Sequence, residues 1–188
     1  MNEIILNYSK KINEAFSSKK MILVDSLAKE MKLAWESKNT IYFCGNGGSA
    51  GNANHLANDF LYGAGVSNGI GLRVESLSAN QSVITCLGND IGYENIYSEQ
   101  LRVKGNPGDL LIALSGSGNS PNIVNALKMG NQLGMKTVAI LGFSGGECKN
   151  IAQLPIHFEI NDMQISEDLQ MIVGHICMKW LSSQLLNR

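Results

Sequence analysis

Apolar residues recur at Ile4, Ile5, Tyr8, Ile12 and Phe16 with polar residues between them, so the spacing predicts a helix over 3–18. Val24, Leu27, Met31, Ala34 and Trp35 repeat that period over 20–37. The pattern then changes. TIYFC (40–44) is a continuous apolar run that stops at Gly45, as a strand buried on both faces does. A helix is expected from Ser49 to Leu61, a short strand within GIGLRVES (69–76), and helices over 79–87 and 93–102. DLLIAL (109–114) reads as a second buried strand, followed by a helix over 121–133 and strands over 137–141 and 156–160. A long helix from Met163 to Leu186 closes the chain. Strands separated by helices imply an α/β protein whose parallel sheet is covered on both faces. The two leading helices, about 1–37, form an arm on the α/β core, about 38–188, or on a neighbouring subunit. No repeat or linker divides the chain, and a single domain is expected.

Composition narrows the field of partners. The 188 residues are 44% hydrophobic and 16% charged, with a formal net charge of −1. There is no block of Lys and Arg, which argues against nucleic acid as the main ligand. No run approaches the roughly 18 consecutive apolar residues of a membrane span, so no membrane is expected. MNEIILNYSKKINEAF is too mixed for a secretory signal. Cys44, Cys86, Cys148 and Cys177 are scattered without a CxxC, which suits reduced thiols in a cytoplasmic protein.

Two loops carry candidate chemistry. Gly45-Asn46-Gly47-Gly48-Ser49 follows one strand and opens a helix; Ser115-Gly116-Ser117-Gly118-Asn119-Ser120 follows another and precedes Pro121. Helix starts offer unpaired N–H groups and a positive dipole end, which suit an anion. Ser120 and Pro121 stand where a helix N-cap and first residue belong. Neither loop has the lysine of a GxxxxGK[ST] loop or the GxGxxG spacing of a dinucleotide site. The ligand they suit is a small phosphorylated molecule.

GNGGSA (45–50), LGNDIGY (87–93), LSGSGNSPN (114–122), LGFSGG (141–146) and a last helix carrying a histidine together resemble the sugar isomerase (SIS) domain family, in particular its phosphoheptose isomerase branch. The resemblance spans nearly the whole chain. It implies a three-layer sandwich around a five-stranded parallel sheet, and a homotetramer with sites at subunit interfaces. It also implies conversion of sedoheptulose 7-phosphate to an aldose 7-phosphate, which supplies heptose for lipopolysaccharide or capsule. By the same resemblance Ser115, Gly116, Ser117 and Ser120 hold the phosphate, while Asn46, Gly47, Gly48, Ser49, Asn89 and Asp90 contact the substrate.

The chain also departs from the family pattern. Asp59 stands where the family has a glutamate base, and Gly63 where it has an arginine that Arg73 would have to replace. Aligning His175 with the family histidine puts Glu167 at a glutamine position; an alternative alignment keeps Gln170 as the glutamine and puts Met178 at the histidine. Aldose–ketose isomerisation needs a base at carbon, a group that moves protons between two oxygens, and a means of stabilising the oxyanion. Asp59 and Glu167 are the candidate bases and His175 the candidate shuttle. His55 and Asp59, at i and i+4, share one helix face, a spacing that serves metal ligation and ion pairing alike. Zinc on His55, Asp59, Glu167 and His175 is compatible with that donor set, and the resemblance admits it because some members bind zinc there.

Plainer readings compete. His55 and Asp59 can pair on a solvated face, Glu167 and Asp168 can complement a helix dipole, and His175 can be a core histidine among Ile172, Val173 and Ile176. His157, in PIHFEI, receives no function. Two other functions stay open: isomerisation of a different phosphosugar, and a non-catalytic protein that binds a sugar phosphate or a protein partner.

Overall fold

The computed structural model describes residues 1–16, 21–63 and 71–185. Among them, β1 (Ile41–Gly45), β2 (Val74–Ser76), β3 (Leu110–Ser115), β4 (Lys136–Leu141) and β5 (Leu154–His157) form one sheet in the order β2-β1-β3-β4-β5. Every neighbouring pair is parallel. The centre is deep: all residues of β1 and β3 are buried. Both edges are short, and β5 carries Pro155, a residue that sheets tolerate at their edges because it cannot donate to a ladder.

Side chains alternate between two cores, as strand geometry requires. Ile41, Phe43, Leu110, Ile112 and Leu114 face α1 (Asn2–Phe16), α2 (Ile22–Glu36), α3 (Gly48–Leu61) and α8 (Met163–Leu185). Tyr42, Cys44, Leu111 and Ala113 face the other layer. That layer contains α4 (Gln81–Asp90), a 3₁₀ turn at Tyr93–Asn95, α5 (Ser98–Lys104), α6 (Pro121–Gln132) and α7 (Cys148–Ile151). Full burial of each large aliphatic side chain contributes about 1.5–3 kcal/mol, so the two cores dominate the cohesion of the sandwich.

Several expected boundaries move. The helix expected over 79–87 runs from Gln81 to Asp90, capped by Asn80, whose side chain accepts from the Val83 amide. The segment 93–102 divides into the 3₁₀ turn and α5. The last strand begins and ends earlier than expected, at Leu154–His157. α7 was not expected at all; it hides in the glycine-rich turn after β4. Residues 17–20, 64–70 and 186–188 lie outside the described residues, as do the expectations that fall on them. Among the described residues no helix is long and apolar enough to cross a membrane.

Helix α1 docks on the start of α8. The Tyr8 hydroxyl donates to Asp168, and Lys11 donates to Asp162 at 2.7 Å. The bond to Asp168 is the main reason the Tyr8 phenol is pushed up to about 12; the bond from Lys11 likewise holds the Asp162 carboxyl below its usual range. The opposite side of α1 is open, with Ile4, Ile5 and Leu6 exposed.

Candidate active site

The chain leaves β1 toward β2 on one side and leaves β3 toward β4 on the other. Parallel α/β sheets hold ligands at such a divergence, outside the carboxyl ends of the strands. A cavity of about 260 Å³ opens there. Asn46, Gly47, Gly48 and Ser49 line it from the first loop, Ser115, Gly116, Ser117 and Ser120 from the second, and Met163 and Glu167 from α8.

Each loop has a local reason for its shape. Gly47 has φ 55°, a left-handed conformation that glycine adopts without a Cβ penalty, and it delivers the chain into α3 with no side-chain cap on the helix start. In the second loop the Ser115 hydroxyl accepts from the Gly118 amide at 3.1 Å and the Ser117 hydroxyl from the Asn119 amide at 3.3 Å. Each hydroxyl therefore keeps its own proton to donate. Ser120 occupies the N-cap position of α6 but makes no side-chain cap bond, so its hydroxyl is uncommitted there. The loop is braced from behind: the Gly142 amide donates to Gly116 O at 2.9 Å and the Cys148 amide to Gly118 O at 3.0 Å.

Two helix starts thus direct N–H groups and positive dipole ends into one cavity. The charged residue among those that line it is Glu167. Its carboxylate lies against Gly48, where a Cβ would overlap it. Asn52 ties this wall to α3, donating to Glu167 O at 2.9 Å and to the Gln170 side chain at 3.0 Å.

A second cluster lies further along the same two helices. Asp59 Oδ2 is 3.3 Å from His55 Nε2 and 3.3 Å from His175 Nε2, and the two imidazole nitrogens are 3.4 Å apart. Gly174 makes this possible: a Cβ at that position would overlap Leu56, so the missing side chain lets α3 and α8 approach closely. Tetrahedral zinc with ligand distances of about 2.0–2.1 Å separates its ligand atoms by roughly 3.3–3.4 Å. The triangle formed by His55, Asp59 and His175 fits that spacing, and two imidazoles with one carboxylate are a donor set zinc accepts.

Within one chain the four residues of the expected metal set do not all come together. Glu167 is not in the cluster; it stands eight residues before His175, roughly 12 Å of helix rise, and faces the cavity. Asn89 and Asp90 do not line the cavity either. α4 continues through them, and as its exposed last turn they bond to each other at 2.8 Å. Arg73 lies just before β2, where its carbonyl accepts from the Ile41 amide at 2.8 Å, at the opposite end of the parallel strands from the cavity. Met178 takes the histidine position only in the alternative alignment, and here it packs near Gly63. His157 is buried at the end of β5, with Nε2 2.9 Å from Phe143 O.

Sequence reasoning missed the groups that hold Asn46. Asn122, two residues after Ser120, pairs with it, and Tyr93 and Tyr97 reach its carbonyl. Tyr97 also donates to Gly45 O, and its burial pushes the phenol pKa well up. The available signal was the placement of Asn122 in the same short motif as Ser120.

Residues 6–142 match the family model described as the SIS domain, so the chain belongs to the sugar isomerase domain family. It is 42% identical over 138 residues to the phosphoheptose isomerase of Akkermansia muciniphila, covering 73% of this chain and 72% of that one. The phosphoheptose isomerase of Nitratidesulfovibrio vulgaris is 34% identical over 88% of this chain and 79% of its own length. Among solved structures, phosphoheptose isomerase GmhA from Neisseria gonorrhoeae superposes with a TM-score of 0.89 at 25% identity, covering 97% of this chain and 96% of that one.

Proposed function

We propose that the chain is an aldose–ketose isomerase of sedoheptulose 7-phosphate. The observation that carries the reading is one cavity floored by two helix starts and three serine hydroxyls, with an acid–base cluster further along the helices that wall it. Relatives that bear the name phosphoheptose isomerase over most of the chain support it.

The phosphoryl group sits in the 115–120 loop, on the hydroxyls of Ser115, Ser117 and Ser120 and the free amides beside them. The carbon chain runs past Glu167 toward His175. Asp59 directs Oδ2 at both imidazoles, which leaves Oδ1 to take a proton from C1. The C1–H electron pair becomes the C1–C2 double bond, and the C2 carbonyl oxygen becomes the oxygen of an enediol(ate). His175 then carries the O1 proton toward O2 while C2 is protonated and the C1 aldehyde forms; an imidazole can accept at one ring nitrogen and donate as a neutral or charged group. His55, Asp59 and His175 would also hold zinc; a bound ion would supply Lewis-acid stabilisation of the developing negative oxygen in place of proton carriage by His175 Nε2. A homo-oligomer is part of the same reading, supported by the open apolar side of α1.

The test is solvent deuterium exchange at C1 and C2, followed by NMR, with sedoheptulose 7-phosphate beside five- and six-carbon ketose phosphates. Exchange with the heptose is expected, and Asp59→Asn should lower it by about 10²–10⁴-fold. Exchange with a shorter sugar only would reassign the substrate. Tight binding without exchange of any sugar would make the chain a binding protein.

A further inference from the structure

We infer that Asn122 is a positioning residue that locks the Asn46 side chain as a hydrogen-bond donor toward the sugar phosphate. The inference rests on the reading of the cavity as a phosphosugar site. Asn122 is the second residue of α6 and only 1% exposed. A primary amide so deeply buried must find partners for both its ends. It finds them in one residue. Asn46 Nδ2 donates to Asn122 Oδ1 at 2.8 Å, and Asn122 Nδ2 donates back to Asn46 Oδ1 at 2.8 Å. The two amides lie head to head across the gap between the β1 loop and the start of α6.

The pairing settles what Asn46 can offer a ligand. Its carbonyl oxygen has two lone pairs. One takes the Asn122 amide, and the Tyr93 hydroxyl donates toward the other at 3.3 Å, while the single Tyr97 proton goes to Gly45 O. The Asn46 amide nitrogen has two protons, and among the described residues Asn122 Oδ1 takes one. What remains on Asn46, which lines the cavity, is a single N–H. Turning the Asn46 amide over alone would set its carbonyl against the Asn122 carbonyl, and turning both over would keep the pair but replace the oxygen that accepts from the Tyr93 hydroxyl with an N–H. Asn46 therefore presents a donor of fixed sense, matched to a phosphoryl or hydroxyl oxygen and mismatched to a ligand N–H.

A double-mutant cycle on kcat and KM tests the coupling. Asn46→Ala and Asn122→Ala should each raise KM for the heptose phosphate about tenfold, with kcat less affected, and the double variant should be no worse than Asn46→Ala. Asn122→Asp keeps the shape of the residue but cannot donate to Asn46 Oδ1, and it should match Asn122→Ala without loss of the fold. Additive effects in the cycle, or a normal KM in Asn122→Asp, would overturn the inference. The side-chain amide signals of Asn46 give a readout independent of any sugar. In the unsubstituted protein they should exchange slowly with solvent, and in Asn122→Ala, which removes the acceptor oxygen, quickly. Unchanged exchange would sink the lock even where turnover is seen. A protected amide in a protein that neither binds nor turns over a sugar phosphate would leave the lock intact and sink the phosphosugar reading instead.

Discussion

Glu167 sets the electrostatic character of the cavity. It is a carboxylate on the wall of a cavity proposed to take a phosphoryl group, packed against Gly48. If Asp59 is the base, Glu167 is not needed for proton removal, and its charge works against the phosphoryl group. Glu167→Gln, which keeps the shape and removes the charge, is expected to tighten binding of inorganic phosphate several-fold. The same change should leave deuterium exchange within about tenfold of normal, far from the 10²–10⁴-fold loss typical of a missing general base. Titration calorimetry with phosphate and the exchange assay read the two effects separately. Weaker phosphate binding together with a collapse of exchange would transfer the role of base from Asp59 to Glu167.

At the scale of elements, the arm and the closing helix form a pH-sensitive joint. Asp162 has a lowered pKa because Lys11 bonds its carboxylate, so its contribution to docking is complete above the ordinary carboxylate range and fades as pH falls through the lowered value. Tyr8 acts in the opposite sense: its contribution is present below the ordinary phenol value and fades as pH rises through about 12. In NMR titration, α1 resonances should hold steady from neutrality down to about pH 4, an unperturbed aspartate value, and move below it. Lys11→Met should shift that change to higher pH. Resonances that ignore acid, or a variant that titrates like the parent, would remove Asp162 from the joint. The elements themselves were mostly legible. TIYFC and DLLIAL are unbroken apolar runs, and central parallel strands require that pattern. β5 starts two residues earlier than expected and includes Pro155, which a strand tolerates at an edge, and periodicity does not reveal edges. The two loops that line the cavity were legible because serine and glycine at a strand end leave a local mark. The Asn46–Asn122 pair was not, because 76 residues separate its partners and only the adjacency of β1 and β3 brings them together.

On the scale of the whole molecule, the cluster of His55, Asp59 and His175 joins two helices from opposite ends of the chain. A metal that binds only the folded arrangement raises stability by about 2.7 kcal/mol at a free concentration 100-fold above its Kd. For a chain of this size that corresponds to a rise in Tm of roughly 5–10 °C. Thermal melts with zinc should show the rise, a chelator should reverse it, and His175→Ala should abolish it. An equal rise in that variant would place the ion elsewhere. This cluster was only half legible in sequence. The i, i+4 pair on α3 was visible, but Glu167 and His175 were grouped by alignment alone, and the direction of the Glu167 side chain is set by packing against Gly48.

The borders of the sheet have one more consequence. On one side lies a strand of three residues; on the other, a strand of four interrupted by a proline. Neither gives an incoming strand a continuous template to zip onto. The sheet is closed to lateral growth, which protects a concentrated solution against fibrillar stacking and leaves helix surfaces as the route by which copies of the chain can join.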